Sequence, residues 1–191
     1  MDYLELTEKI REYISGRLSE SRYGHSLRTA GMCARICRHY ALDDGKGYLA
    51  GIAHDMCKED SPERLLELAS EDGMPVIGIE REKPSLLHGR AAAVLLRRKF
   101  SVDDDELLEA VAFHTSGKVG MGALTEALYV ADKIEPGRKY ITDSYRNSLF
   151  EHTLDDMFRT VLADTVGYVK SKGKGYALFP ETRKLLEHFG V

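Results

Sequence analysis

Apolar residues recur every three or four positions along almost the whole chain, and this helical period is the feature that most constrains its fold. The sequence lacks clear alternation of apolar and polar residues, and it lacks the β-branched runs of a buried parallel sheet. The period predicts helices over 3–18, 20–41, 43–58, 61–72, 84–100, 104–115, 120–134, 145–170 and 181–189, with an irregular loop over 73–84. With no repeat or linker in 191 residues, the sequence predicts a single all-α domain.

Composition and charge narrow the class of protein. No apolar run approaches the roughly 20 residues that span a bilayer, and three cysteines without disulfide spacing fit a reducing compartment. The formal net charge of -4 is unlike the basic balance of a general nucleic-acid binder. We therefore expect a cytoplasmic protein without a membrane or nucleic-acid partner. A polyphosphate substrate would need locally concentrated positive charge.

Several polar residues occupy helix positions at which an apolar residue would ordinarily serve the core. They are His25, His54, His88, His114 and Asp132, each in line with apolar neighbours at helical spacing. Taken singly, an inward histidine is more often a hydrogen-bonded core residue, and an inward aspartate is often a salt-bridge partner. Together with Asp55, these side chains are hard to satisfy in pairs. A divalent metal would satisfy them jointly, because imidazole and carboxylate are both suitable ligands.

The adjacent His54 and Asp55 follow the apolar run YLAGIA. Consecutive helix residues point about 100° apart, so both can reach one ion only if it lies beyond the helix end. The polar run 58–60 and the following Ser61-Pro62 indicate that the helix does end here. A buried Asp55 carboxylate would then need a cation to offset the cost of its burial.

The remaining histidines and the cysteines have simpler interpretations. His39, His152 and His188 are expected at the surface or in structural roles. Cys33 and Cys37 lie one helical turn apart and could hold a soft metal, although small buried core residues are the more common role. Cys57 has no evident partner thiol.

These residues carry a resemblance to the HD-domain phosphohydrolases, an all-α, metal-dependent superfamily. Its H…HD…D order is matched by His25, His54-Asp55 and Asp132, and the extra pair of members with two metals is matched by His88 and His114. The segments similar to motifs of the YqeK-type subfamily are RYGHS (22–26), AHDMCK (53–58), LLHG (86–89), HTSG (114–117) and YVADKIEPGR (129–138), with a weaker echo at FPET (179–182). The resemblance implies an HD-domain helical bundle over 1–191, with its motifs at about 20–140 and a helical extension at about 145–191.

The resemblance also implies an activity, the symmetrical hydrolysis of bis(5'-nucleosyl) tetraphosphates, in which diadenosine tetraphosphate gives two ADP. The hypothesised ligands are His25, His54, Asp55 and Asp132 for one metal, and Asp55, His88 and His114 for a second. Two metals about 3.5–4 Å apart can activate a shared hydroxide and clamp a phosphoryl group. The ligand types suit two divalent or trivalent ions of iron, manganese, cobalt or zinc, and the resemblance favours iron.

Further side chains are candidates for substrate contacts. Lys58 and Arg138 could hold phosphate oxygens, and Lys58 is assigned with Asp55 to catalysis. Weaker candidates, which neighbour the ligands, are Ser26, Arg28 and Thr115. The basic segment KSKGKGY (170–176) could also touch phosphate, although a solvated loop is the more common role.

Alternative functions stay open on the sequence. Another HD phosphohydrolase would use the same metals on a deoxynucleotide, a guanosine polyphosphate alarmone or a cyclic dinucleotide. A non-catalytic nucleotide-binding module would keep the metal site without turnover, and a purely structural helical domain would hold no metal. A homodimer is also left open.

Overall fold

The computed structural model describes residues 2–171 and 178–190 of the protein. These residues form eleven α-helices and one 3-10 helix, with no strand among them. The α-helices are α1 (Tyr3–Ser15), α2 (Glu20–His39), α3 (Asp44–Ala53), α4 (Pro62–Ala69), α5 (Gly78–Glu82), α6 (His88–Phe100), α7 (Asp105–Phe113), α8 (Ala123–Ile134), α9 (Asp143–Leu149), α10 (Leu154–Ser171) and α11 (Pro180–Phe189), and the 3-10 helix is Pro84–Leu87. The prediction of an all-α fold is confirmed.

Capping side chains set where several helices begin. Ser19, Asp43 and Ser61 occupy N-cap positions, and each accepts a hydrogen bond from a backbone N–H of the first turn. Pro62 follows Ser61 at the start of α4, as the sequence indicated. These side chains satisfy N–H groups that have no partner within the helix, so the helix starts are encoded locally.

Other predicted boundaries are wrong, for local reasons. The helix predicted over 43–58 ends at Ala53, and turns follow it, because Met56 N–H bonds to the Ala53 carbonyl and Lys58 N–H to the Asp55 carbonyl. The helix predicted over 145–170 is two helices, α9 and α10. Residues 150–153 separate them, and Thr153 Oγ1 accepts a hydrogen bond from Asp156 N–H at 3.2 Å, in the manner of a cap. The loop predicted over 73–84 contains the short helix α5.

A glycine allows α2 and α3 to pack at very short range. A Cβ atom at Gly51 would lie 2.4 Å from Ala30 Cα, closer than any real contact of that kind, so no larger residue fits without separating the helices. His54 lies one turn after Gly51, and His25 lies just over one turn before Ala30. The close crossing therefore brings these two histidines together.

A second glycine acts similarly between α6 and α7. A Cβ atom at Gly89 would lie 2.8 Å from the Ala112 carbonyl oxygen and 3.1 Å from His114 Nδ1. Because His88 immediately precedes Gly89, the absence of a side chain there lets His88 approach the end of α7. Each histidine pair thus depends on a glycine at a helix crossing.

Helix α8 joins these parts of the structure, since it packs against α2, α3, α7 and α10. The largest fully buried side chains include Ile10, Ile36, Leu49, Ile52, Leu68, Leu87, Tyr129 and Phe158. Helix α11 is tied to the residues after α7 by a hydrogen bond of 2.8 Å from Thr182 Oγ1 to the Ser116 carbonyl. No helix in the described ranges has both the length and the apolar character needed to cross a membrane. The proposed division into a motif-bearing core and an extension stays a prediction.

Arg90, on α6, holds the segment between α4 and α6. Its guanidinium donates to Asp72 (2.6 Å from Nε to Oδ2), to Glu80 (3.0 Å from Nη1 to Oε2) and to the Met74 carbonyl (2.8 Å). The side chain is only 9% exposed. A buried cation with two carboxylate partners anchors a segment that has little regular structure of its own.

We expect Arg90→Met to lower the free energy of unfolding by about 3–5 kcal/mol, because Asp72 and Glu80 would lose their buried cation. Urea denaturation measures the change. Arg97→Met is the matched control on the same helix, since Arg97 is 59% exposed and pairs with an exposed Asp105. That control should lose less than about 1 kcal/mol, and equal losses in the two variants would contradict the anchoring role.

Candidate metal centre

The six predicted ligands come from five regions of the chain and converge on one buried cluster. His25 lies in α2, His54 and Asp55 directly follow α3, His88 begins α6, His114 caps the end of α7, and Asp132 lies in the last turn of α8. The four histidines and Asp55 are all buried. Two ligand groups have donor atoms within 4.8 Å of one another, namely His25 with His54 and Asp55, and Asp55 with His88 and His114.

Asp132 joins the first of these groups. Its Oδ1 lies 3.1 Å from His25 Nε2 and 3.9 Å from His54 Nε2, and the two Nε2 atoms are 3.2 Å apart. Asp55 Oδ2 completes the group at 3.6 Å from His25 Nε2 and 3.5 Å from His54 Nε2. Two imidazoles and two carboxylates therefore face a common point.

The second group is held by the other oxygen of Asp55. Its Oδ1 lies 3.1 Å from His88 Nε2 and 3.7 Å from His114 Nε2, and those two nitrogens are 3.1 Å apart. The two oxygens of one carboxylate thus face different histidine pairs. This is the geometry expected of a ligand shared between two ions.

The backbone decides which nitrogen of three histidines carries a proton. Nδ1 of His54, His88 and His114 each lies 2.7 Å from a backbone carbonyl oxygen three residues earlier in the chain. A carbonyl can only accept, so Nδ1 is the donor and Nε2 of the neutral ring presents a lone pair. Such carbonyl contacts are the usual support for metal-bound histidines.

The inward lone pairs of the Nε2 atoms make the cluster suitable for a cation. His88 Nε2 and His114 Nε2 lie 3.1 Å apart, and each points its lone pair toward the other and toward the Asp55 carboxylate. With no N–H between them, these atoms repel one another, whereas a bound cation would attract all of them. The donor set contains nitrogen and oxygen without sulfur, which suits first-row transition metals.

Burial and charge shift the pKa values of the ligands in opposite directions. Burial would raise the pKa of Asp55, but the electrostatic influence of the neighbouring histidines, His54 first among them, outweighs it and holds that pKa well below its usual range. Burial lowers the pKa of His114 to about 3 and also lowers that of His88. At neutral pH these groups are an anion and neutral imidazoles, the protonation states that bind metal.

Positive side chains surround the ligands. Arg22 Nη1 donates to Asp55 Oδ2 at 2.8 Å, and Lys58 Nζ lies 3.2 Å from His88 Nε2 and 4.0 Å from Asp55 Oδ1. On the other side, Arg138 Nη2 and Lys133 Nζ donate to Asp132 at 2.7 and 3.0 Å. Four cations thus surround the two carboxylates Asp55 and Asp132, so the local charge is positive inside a protein whose formal net charge is -4.

Glu135 links His25 to this cationic rim. Its Oε1 lies 3.2 Å from His25 Nδ1, and its Oε2 accepts a hydrogen bond of 2.6 Å from Arg28 Nε. Since the carboxylate accepts from Nδ1, Nε2 of His25 faces the cluster like the Nε2 atoms of the other three histidines. The pattern of a carboxylate that supports a metal-binding histidine is common in metalloproteins.

The structure places the other predicted site residues unequally. Lys58, Arg138 and Thr115 contact the cluster, with Thr115 Oγ1 3.1 Å from His114 Nε2. Arg28 reaches it only through Glu135. Ser26 is fully buried, and among the described residues its Oγ has no hydrogen-bond partner that would link it to the ligands. Most of the segment 170–176 lies outside the described residues.

The histidines and cysteines that were not predicted as metal ligands lie where the sequence indicated. His39, His152 and His188 are exposed, and Cys33, Cys37 and Cys57 are buried free thiols. Sequence reasoning missed three contributors, Arg22, Lys133 and Glu135. A signal existed for each, since Arg22 precedes His25 by about one helical turn, and the other two stand inside ADKIEPGR.

An all-α fold in which four histidines and two aspartates converge is the arrangement that the resemblance to metal-dependent HD-domain phosphohydrolases predicted. Residues 22–138 match the HD domain family, and the chain belongs to that family. The predicted superfamily is thereby confirmed.

Several proteins are similar to this chain. Symmetrical bis(5'-nucleosyl)-tetraphosphatase of Bacillus subtilis (strain 168) is 28% identical over 169 residues, which cover 88% of this chain and 89% of that one. The protein of the same name from Staphylococcus aureus (strain NCTC 8325 / PS 47) is 33% identical over 133 residues, 69% of this chain and 67% of that one. The crystal structure of a predicted HD superfamily hydrolase involved in NAD metabolism, from Clostridium acetobutylicum, covers 92% of each chain with a TM-score of 0.83 and 30% identity.

We expect Asp55→Ala to lose most of the metal bound to both groups, because one carboxylate serves the two histidine pairs. Metal per chain, measured by mass spectrometry of the purified protein, checks this. Asp60→Ala is the control, since Asp60 is a nearby carboxylate that pairs with Arg17 instead. Full metal content in the Asp55 variant would contradict the sharing of its carboxylate.

A second expectation concerns pH. Burial would raise the pKa of Glu135 above its ordinary 4.5, but hydrogen bonds from His25 and Arg28 outweigh it and hold that pKa at about 2. Its ionised form therefore contributes stability above pH 4.5 that is lost as pH falls toward 2. We expect Glu135→Gln to cost roughly 3 kcal/mol at pH 7.

Denaturant titrations of the metal-free wild type and the Glu135 variant at several pH values measure this cost. The difference between the two proteins should shrink as pH falls from 4.5 toward 2. A difference that did not change with pH would show that the Glu135 charge contributes nothing to stability.

Proposed function

We propose that this protein hydrolyses dinucleoside tetraphosphates symmetrically, releasing two nucleoside diphosphates, with diadenosine tetraphosphate and two ADP as the reference reaction. The observation that carries the proposal is the Asp55 carboxylate, which faces two histidine pairs inside a ring of positive side chains. The relatives named for this activity support the choice of substrate.

The ligands suit two transition-metal ions. We assign His25, His54, Asp55 and Asp132 to one ion, and Asp55, His88 and His114 to the other. When bound, such ions lower the pKa of a water molecule and neutralise phosphate charge. Resemblance to the YqeK-type subfamily favours iron, while manganese, cobalt and zinc suit the same donors.

The cations of the rim are suited to polyphosphate. Arg22, Lys58 and Arg138 are 32%, 30% and 29% exposed, so their charged ends can be reached from solvent. Each contacts one of the candidate metal ligands. Ligands that turn to metal would release these side chains, and arginine in particular binds phosphate oxygens through paired N–H groups.

Symmetrical cleavage places demands on both sides of one bond. Water oxygen must bond to a phosphorus beside the central bridging oxygen, the bond from that phosphorus to the bridging oxygen breaks, and the departing diphosphate gains negative charge. Lys58 is suited to stabilise that charge, because it lies beside His88 and Asp55 at the edge of the cluster. Burial lowers the pKa of its ammonium group, which makes Lys58 a better proton donor.

Several finer expectations belong with this proposal. We expect a protein of the cytoplasm that binds a small nucleotide and no nucleic acid, and a homodimer is compatible with it. The alternatives are hydrolysis of another nucleotide by the same centre, and nucleotide binding without turnover.

Product analysis tests the proposal. Metal-loaded protein and diadenosine tetraphosphate should give ADP alone, measured by anion-exchange chromatography. ATP with AMP would overturn symmetrical cleavage, and binding without products would favour the non-catalytic module. Faster turnover of a deoxynucleotide, a guanosine polyphosphate, a cyclic dinucleotide or NAD would move the assignment to that substrate.

We expect His88→Ala to retain about one ion per chain and to lose hydrolysis by at least two orders of magnitude, because only the second ligand group is broken. Metal analysis and the ADP assay measure both effects. His152→Ala removes an exposed histidine outside the cluster and should change neither quantity. Unchanged turnover in His88→Ala would argue for a single catalytic ion.

A further inference from the structure

A cavity of about 300 Å³ lies beside the metal centre, between the loop before α6 and the start of α11. Its size is at the lower end of the range of about 300–1,000 Å³ that is usual for small-molecule sites. The lining is largely apolar, and its apolar members include Met74, Pro75, Ile77, Leu86, Phe113 and Phe179. None of these side chains is a metal ligand.

Thr115 connects this cavity to the metal centre. It lines the cavity, and its Oγ1 also lies 3.1 Å from His114 Nε2 and 3.4 Å from His88 Nε2. A ligand with one end among the histidines and the other in the cavity would pass this side chain. The cavity is thus next to the place where the substrate phosphates are proposed to bind.

The segment FPET (179–182) forms one wall of the cavity and is fixed in place. Phe179, Pro180 and Glu181 line it, and Thr182 Oγ1 donates to the Ser116 carbonyl at 2.8 Å. Leu185 lies about one turn after Thr182 in α11. It packs so closely on Gly117 that a Cβ atom added at Gly117 would lie 2.6 Å from Leu185 Cδ1. These contacts hold the Phe179 position relative to the residues that follow His114.

The charged side chains that line the cavity already have ion-pair partners. Arg90 donates to Glu80, Lys118 pairs with Glu109, and Lys184 pairs with Glu181. Lys118 Nζ also lies 5.2 Å from the centroid of the Phe113 ring. The cavity therefore offers apolar and aromatic surface more than free hydrogen-bonding groups, which suits a flat, uncharged ring system.

We infer that this cavity binds the nucleoside at one end of the substrate, with Phe179 as the principal stacking surface for its base. The inference rests on the proposed function, because that function places phosphates at the neighbouring metal centre. It assigns the FPET segment a role in substrate affinity, and it predicts tolerance among bases, since an aromatic face stacks on every base.

The test compares two probes on metal-loaded protein, ADP and inorganic pyrophosphate, by isothermal titration calorimetry. Phe179→Ala should weaken ADP binding by about 5- to 150-fold and pyrophosphate binding by less than about twofold, since pyrophosphate has no nucleoside to stack. Phe179→Tyr keeps the ring and should bind ADP like the wild type. In the ADP-forming reaction, Phe179→Ala should raise KM more than it lowers kcat.

Phe189→Ala provides the matched control, because Phe189 lies at the far end of the helix that Phe179 precedes. Phe189 packs against Phe158 at 6.1 Å between ring centroids and does not line the cavity, so this variant should bind both probes like the wild type. Equal weakening of ADP and pyrophosphate by Phe179→Ala, or equal effects of the two alanine variants, would reduce Phe179 to a structural role and overturn the inference.

Failure of the inference differs from failure of the proposed function. If the wild type forms two ADP and Phe179→Ala binds ADP unchanged, the cavity assignment is wrong and the activity stands. If the wild type binds ADP in a manner that depends on Phe179 but hydrolyses no dinucleoside tetraphosphate, the cavity assignment stands and the activity is wrong.

Discussion

The buried carboxylate of Asp55 is the interaction on which the rest of the centre depends. A carboxylate that is 4% exposed is costly to bury unless positive charge or hydrogen bonds compensate. Asp55 has a histidine pair on each oxygen and Arg22 as a direct ion-pair partner. Its position just after α3 lets His54 and Asp55 turn toward the same point, which consecutive residues within a helix cannot do.

The backbone prepares the histidines for this role. Three of them donate from Nδ1 to carbonyls of their own turn, and His25 donates to Glu135. All four Nε2 atoms therefore face inward without depending on a metal to orient them. Because the rings are already oriented, metal binding has a smaller free-energy cost for ordering these side chains. This arrangement also explains why Gly51 and Gly89 matter, since each permits the helix contact that brings one histidine pair together.

The differences between sequence expectation and structure come mainly from tertiary contacts. Periodicity alone does not show that α3 ends at Ala53, because residues 54–57 are buried like the helix before them and their turns are set by the packed cluster. Nor does it reveal the ion pairs of Arg22 and Lys133, because a charged residue on a helix is usually a solvated one. The inward ligands were recognisable because a histidine or aspartate on an apolar face departs from that rule.

The sequence by itself determined the helical class, the identities of the six predicted ligands and the family to which they point. Those features follow from the period of apolar residues and from polar residues placed where that period demands apolar ones. Only the tertiary structure decided which histidines face each oxygen of Asp55, which cations border them and which cavity adjoins them. These are relations between residues far apart in the chain, such as Arg28 with Glu135 or Ser116 with Thr182. Helix packing sets their distances, and no local pattern encodes them.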